Sequence, residues 1–217
     1  GGLGGGSSDA AMMLVGLVRL FGLPVKMPEL AELSKSLGAD VAFFIDECLL
    51  QEKPNSDAHT AKDDAQNACA PRGAIVCGFG DRIERVERVR GDVLLMIPAY
   101  GCPTGAVYRE YDRDPRALDD HEVRSIVADS LKNGCVDGNL LFNDLAEPAC
   151  RVAPELMDTM QKLREAGIGG VHVTGSGSTL FRVSGEMDAA DGLTMERLSE
   201  RVRKACPEVI VVPTRMV

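Results

Sequence analysis

No apolar run in this chain reaches the length of a membrane span, so the sequence offers no candidate for a spanning helix. A basic excess is also missing. Lys and Arg number 24 against 33 Asp and Glu, a net charge of −9. A nucleic-acid surface needs a basic patch, so that class is disfavoured. ATP is not, because backbone N–H groups and Mg²⁺ can hold phosphates. The seven Cys are odd in number and scattered, with no C-x-x-C pair. They read as reduced intracellular thiols rather than a disulfide frame or a zinc site. His59, His121 and His172 have no metal-ligand spacing, and no segment repeats. With 217 residues, 45% of them hydrophobic, the chain can hold one large domain or two small ones.

What is present begins at once. Gly1-Gly2-Leu3-Gly4-Gly5-Gly6-Ser7-Ser8-Asp9-Ala10-Ala11 is a glycine-rich loop delivered onto a helix N-terminus. Glycines let backbone N–H groups close on an anion, and the helix dipole favours phosphate there. Ser7, Ser8 or Asp9 is the expected N-cap. A helix is expected over 8–21, with Met12, Val15, Leu17, Val18 and Phe21 at roughly helical spacing and Gly22 as its stop. A flexible Gly/Ser linker is the plain alternative, but a linker has no reason to end in Ser-Ser-Asp-Ala-Ala. The Lys-Ser/Thr pair of a Walker A loop is absent, and no strand precedes the loop as a Rossmann unit requires.

Further along, Met27-Pro28-Glu29 opens a second helix with Leu30, Leu33 and Leu37 on one face and Gly38 as its stop. Residues 48–72 are polar and aperiodic and read as a dispensable surface insertion. Strands at 73–76 and 82–86 form a hairpin through Gly78-Phe79-Gly80-Asp81. After Gly91 come a buried-type strand over 93–97, helices over 104–111, 119–132 and 147–166, a strand over 171–174, and a Gly175-Ser176-Gly177-Ser178 turn. A returning strand over 179–183, a helix over 195–205 and a strand over 209–212 complete the chain. The order implies an α+β fold with helices on one face of an antiparallel sheet.

Three further places carry candidate chemistry. Asp40, in Gly38-Ala39-Asp40-Val41, is either an ordinary turn residue or a carboxylate that deprotonates an alcohol attacking a γ-phosphate. Thr104 and Tyr108 lie four apart on one helix face, and Tyr108 is otherwise a core or rim aromatic. Asn143 or Asp144 can cap the helix that follows. His172 alternates with apolar strand residues and reads as a sheet residue, and the charged stretch 81–90 reads as solvated.

Together, the loop Gly1–Ser8, Leu37-Gly38-Ala39-Asp40-Val41, Phe142-Asn143-Asp144-Leu145 and Thr174-Gly175-Ser176-Gly177-Ser178-Thr179 resemble the motifs of the GHMP kinases. The likeness is greatest to the branch acting on 4-diphosphocytidyl-2-C-methyl-D-erythritol. Ala42 stands where that branch has Pro, and Ala146 where it has Glu. The resemblance implies a fold: residues 1–90 as the remainder of a ribosomal-S5-like ATP-binding domain and 91–217 as a ferredoxin-like C-terminal domain. It also implies an activity, ATP-dependent phosphorylation of the substrate's 2-hydroxyl in non-mevalonate isoprenoid synthesis. ATP and Mg²⁺ are the implied cofactors. Gly1, Gly2, Leu3, Gly4, Gly5, Gly6, Ser7 and Ser8 would hold phosphate, Asp40 would be the base, and Thr104 and Tyr108 would meet the substrate. Gly175, Ser176, Gly177 and Ser178 would form a supporting glycine-rich motif, with no protein metal site. The resemblance further implies a monomer or weak homodimer in a bacterial cytoplasm or plastid stroma. It leads us to expect that an N-terminal portion bearing a Lys partner for Asp40 is missing, and that the 217-residue chain alone does not turn over. Homoserine or mevalonate kinase, and a non-catalytic fragment, remain the alternatives.

Overall fold

Gly4, at φ 66° and ψ 15°, turns the chain into its first helix through a left-handed conformation that glycine adopts without strain. The computed structural model describes residues 2–45, 73–78, 80, 82–87, 89–115, 120–184 and 193–216. Gly1 and the expected insertion over 48–72 lie outside them. The chain divides into two compact units, one of Gly4–Arg88 and one of Val89–Val217 together with Gly1–Leu3.

In the first unit, α1 (Gly5–Leu20) starts earlier than the N-cap residues predict. Ser7 and Ser8 lie inside its first two turns, and Gly4 takes the cap with no side-chain bond. Its buried side is Ala11 and Val15, with Val18 partly buried. Met12, Leu17 and Phe21, expected inside, are exposed. A helix apolar on both sides does not reveal its inner face by periodicity. The second helix, α2 (Met27–Ser34), is capped by the Glu29 carboxylate accepting from Lys26 N–H at 3.0 Å. It stops at Ser34, short of Gly38, so Leu33 and Leu37 do not share its buried face and are each 58% exposed. Leu30 and Ser34, one turn apart, point inward instead, and the Ser34 hydroxyl is satisfied by Ala31 O at 2.7 Å. A 3-10 turn over Ala42–Phe44 follows. The hairpin forms as read, β1 (Ala74–Cys77) antiparallel to β2 (Arg82–Arg85).

The second unit is a four-stranded antiparallel sheet carrying helices. Its elements run β3 (Gly91–Ile97), α3 (Thr104–Tyr111), α4 (Asp120–Asn133), α5 (Ala146–Val152), α6 (Pro154–Glu165), β4 (His172–Val173), β5 (Leu180–Val183), α7 (Met195–Ala205) and β6 (Ile210–Met216). The strand order β4-β5-β3-β6 is the ferredoxin-like arrangement. The expected single helix over 147–166 is two. Pro154 bars the α region for Ala153, which sits at φ −127° and ψ 86° and breaks the rod. β6 runs past Val212 to Met216, in register from Ile97↔Ile210 to Gly91↔Met216. Pro213 does not end it, because an edge strand tolerates a missing donor. Leu94, Met96, Leu156, Leu163, Leu180 and Leu198 form the heart of the core. Each such fully buried Leu contributes about 1.5–3 kcal/mol.

Candidate active site

The first of the helix's own i to i−4 bonds at the N-terminus of α1 is Ser8 N–H to Gly4 O at 2.9 Å. The N–H groups of Gly5, Gly6 and Ser7 precede it, where a helix has no internal acceptor. No acidic side chain lies in that first turn. A Cβ on Gly5 or Gly6 would meet no heavy atom within 4 Å, so these glycines leave free space beside the donors rather than filling a packing need. The Ser8 hydroxyl turns inward and donates to Gly5 O at 2.9 Å. Gly4 is hemmed in from behind: a Cβ there would lie 3.1 Å from the Phe44 ring.

Asp40 belongs to the same unit and sits in the turn before the 3-10 segment. It is exposed and has no hydrogen-bond or ion-pair partner among the described residues. A structural turn aspartate would accept from a nearby backbone N–H. Val41 and Ala42, by contrast, are buried and anchor the turn. Ala42 begins the 3-10 turn, a position a proline also suits.

The other unit gathers the remaining candidates. Gly2, at φ 80°, lies against Thr174, and the Thr174 hydroxyl donates to Gly2 O. A Cβ on Gly2 would collide with the Thr174 carbonyl, and one on Gly175 would touch Gly2 at 3.7 Å. The two glycine-rich segments therefore meet through Gly2, and only glycine allows the approach. Leu3 is exposed. Thr104 and Ser176 share a hydroxyl–hydroxyl bond of 2.9 Å. Ser178 is buried and donates to Tyr100 O at 2.6 Å. A Cβ on Gly177, at φ 82°, would touch Val173, Cys102 and Leu156. Burial pushes the Cys102 thiol above its usual range, so it stands there as a neutral group. Tyr108 is 51% exposed while its neighbour Val107 is buried, which places the tyrosine on the rim and not in the core.

Two residues do more than the sequence suggests. Asn143 does not cap α5 directly. Its Oδ1 accepts from Leu145 N–H at 3.0 Å, while its Nδ2 donates to Val173 O and Gly175 O, both at 2.8 Å. One amide thus clamps both sides of Thr174. Tyr100 hydrogen-bonds Thr159 Oγ1 at 2.8 Å and Glu155 O at 3.0 Å, fixing the strand end that receives Ser178. Among the described residues, no group of three His, Cys, Asp or Glu could hold a metal ion.

Two families match this chain. The one described as GHMP kinases N terminal domain covers residues 1–47, and GHMP kinases C terminal covers 125–208. The chain belongs to the GHMP kinases. A 4-diphosphocytidyl-2-C-methyl-D-erythritol kinase of Moorella thermoacetica is 30% identical over 98% of this GHMP kinase chain and 66% of its own length. The corresponding kinase of Thermus thermophilus is 32% identical over 87% of the chain and 58% of its own length. A crystal structure of 4-(cytidine 5'-diphospho)-2C-methyl-D-erythritol kinase superposes with a TM-score of 0.64 at 29% identity, covering 100% of this chain and 66% of that one. Homoserine kinase from Cytophaga hutchinsonii shares the fold, with a TM-score of 0.52 at 16% identity. The chain thus spans about two thirds or less of the length of these kinases. Among the described residues, no helix is long and apolar enough to cross a membrane.

Proposed function

We propose that this chain serves the ATP-dependent phosphorylation of the 2-hydroxyl of 4-diphosphocytidyl-2-C-methyl-D-erythritol, a step in making isoprenoid precursors. One observation carries the reading: within one unit, the N–H groups of Gly5, Gly6 and Ser7 open a helix with no side-chain cap and with free space beside Gly5 and Gly6, and the same unit presents Asp40 exposed and without a partner among the described residues. The substrate follows from the similarity to the 4-diphosphocytidyl-2-C-methyl-D-erythritol kinases of Moorella and Thermus.

Each residue then has a task. The first-turn N–H groups of α1 hold phosphate oxygens, with the positive end of the helix dipole behind them. Mg²⁺ enters as part of the nucleotide substrate and offsets charge on the phosphates. Asp40 accepts the proton of the attacking hydroxyl. Thr104 and Tyr108 hold the acceptor substrate, the hydroxyl of Thr104 being oriented by Ser176. Gly175–Ser178 is supported by Asn143 and Tyr100 and backs Gly2 through Thr174. Phosphoryl transfer asks the protein mainly for positioning and charge stabilisation, and these groups can supply both.

The test pairs calorimetric ATP binding with an ADP-release assay on three alcohols: the cytidine diphosphate methylerythritol, homoserine and mevalonate. Turnover is read on the 217-residue chain and on a form extended at its N-terminus with the corresponding segment of the Moorella relative. We expect the chain to bind ATP and turnover to favour the cytidine substrate. In the extended form, Asp40→Asn should lower turnover by about 10²–10⁴-fold with ATP affinity held. Gly5→Val should abolish ATP binding with little loss of fold, since its Cβ meets only open space in the free protein. Preference for homoserine or mevalonate, or an Asp40→Asn variant as fast as the parent, refutes the assignment.

A further inference from the structure

Arg85, at the end of β2, is far in sequence from both the glycine-rich loop and Asp40, yet its side chain reaches the turn that follows Asp40. Its Nη2 donates to Phe43 O at 2.7 Å and to Ile45 O at 3.0 Å. Its guanidinium also lies 5.3 Å from the centre of the Phe43 ring. Hydrogen bonds from an ionised donor are about twice as strong as neutral ones, and the rigid guanidinium binds both carbonyls in one geometry. The 3-10 turn is thereby fixed at its middle and its end.

The same hairpin touches the turn's other side. Gly80, buried and at φ 82°, approaches Ala39 so closely that a Cβ would collide with the Ala39 carbonyl. Asp40 is thus held between a brace at Ala39 and a clamp at Phe43 and Ile45. Between the two clamped carbonyls stands Phe44, whose ring backs Gly4 at the head of α1. All of these residues belong to the Gly4–Arg88 unit.

We propose that Arg85 is a positioning residue, which sets the Asp40 turn by its two carbonyl bonds and, through the Phe44 ring, sets Gly4 at the entrance to the phosphate-binding helix. The part concerning nucleotide rests on the function proposed above. The geometry of the clamp does not.

Two readouts on the 217-residue chain test it, with Arg85→Met, Arg85→Lys and, as control, Arg82→Met at an exposed site of the same strand. The first is amide exchange. The N–H groups of Phe44 and Ile45 are bonded within the turn, to Val41 O and Ala42 O. Arg85→Met should speed their exchange by about tenfold or more, leaving Leu14 and Val15 of α1 and Leu94 of β3 as in the parent. The second is calorimetry with ATP. Arg85→Met should weaken affinity by about tenfold at unchanged stoichiometry, because a misplaced loop binds worse. A loss of folded fraction alone would lower stoichiometry and leave affinity untouched. Arg85→Lys, able to reach one carbonyl, should fall between the two, and Arg82→Met should match the parent. Unchanged exchange at Phe44 and Ile45, or an acceleration spread equally over α1, overturns the clamp. Parent-like ATP affinity in Arg85→Met overturns the link to the loop. A parent chain that binds no ATP overturns the proposed function instead, and the exchange data still decide the clamp.

Discussion

The two units differ in where their apolar side chains end up. In Val89–Val217, Leu94, Met96, Leu156, Leu163 and Leu180 are all fully buried, and strands and helices close over them from several directions. In Gly4–Arg88, the buried apolar set among the described residues is Ala11, Val15, Leu30, Val41, Ala42 and Ile45, mostly smaller residues, while Met13, Leu20 and Phe21 stand 66–76% exposed. Area removed from water sets hydrophobic stabilisation, so the second unit holds the larger share. The first unit depends more on polar fixtures such as the Arg85 clamp and the Glu29 cap. The proposed phosphate donors and base both belong to this less deeply packed unit, as is common for elements that bind and release ligands.

The sharpest way to break this comparison is to cut matched leucines. Leu180→Ala removes a fully buried side chain from the sheet and should cost about 2–5 kcal/mol in denaturant unfolding. Leu30→Ala removes the same group from a short helix over a shallow core and should cost less, because solvent and neighbours fill the gap more readily. Equal losses would show the two cores to be equally tight.

A smaller effect sharpens it. Cys206 is buried in the second unit, and burial, followed by nearby Glu208, raises its thiol above the usual range. Cys77 is only half-buried, on the hairpin of the first unit. With a thiol reagent and peptide mass analysis, of these two and exposed Cys135, Cys135 should label first, Cys77 next through local opening, and Cys206 only on unfolding of its unit. Labelling of Cys206 before Cys77 would reverse the ranking.

The smallest expected effect is electrostatic. Glu208 is held below the ordinary carboxylate range by its own backbone N–H and by Lys162, whose Nζ lies 3.2 Å away. A depressed folded value stabilises above the unfolded carboxylate's pKa, and that contribution fades as pH falls through the folded value. Glu208→Gln should therefore lower the melting temperature slightly at neutral pH and not at all at strongly acid pH. The pair is surface-exposed, so salt should shrink the difference.

Local chemistry made much of the fold legible. Thr104–Tyr111 and Met195–Ala205 were readable because their boundaries are written beside them, in Pro103 and in Thr194, whose hydroxyl accepts from Arg197 N–H at 3.3 Å. The break at Ala153 was equally written in Pro154, which opens the following helix at its first position. The glycine loop and Asp40 stood out by composition and spacing. The clamps did not. Asn143 acts on carbonyls about 30 residues away and Arg85 on carbonyls about 40 residues away. A backbone acceptor is present at every position, so it leaves no mark on the sequence at either end.

The bond from Arg85 to Ile45 O has a neighbour: Val86 N–H donates to Gly73 O at 2.8 Å. Ile45 and Gly73 are therefore secured to two adjacent residues, Arg85 at the end of β2 and Val86 just after it. Joining Ile45 to Gly73 by a brief linker, or through a foreign module with neighbouring termini, should therefore leave the turn beside Asp40 in place.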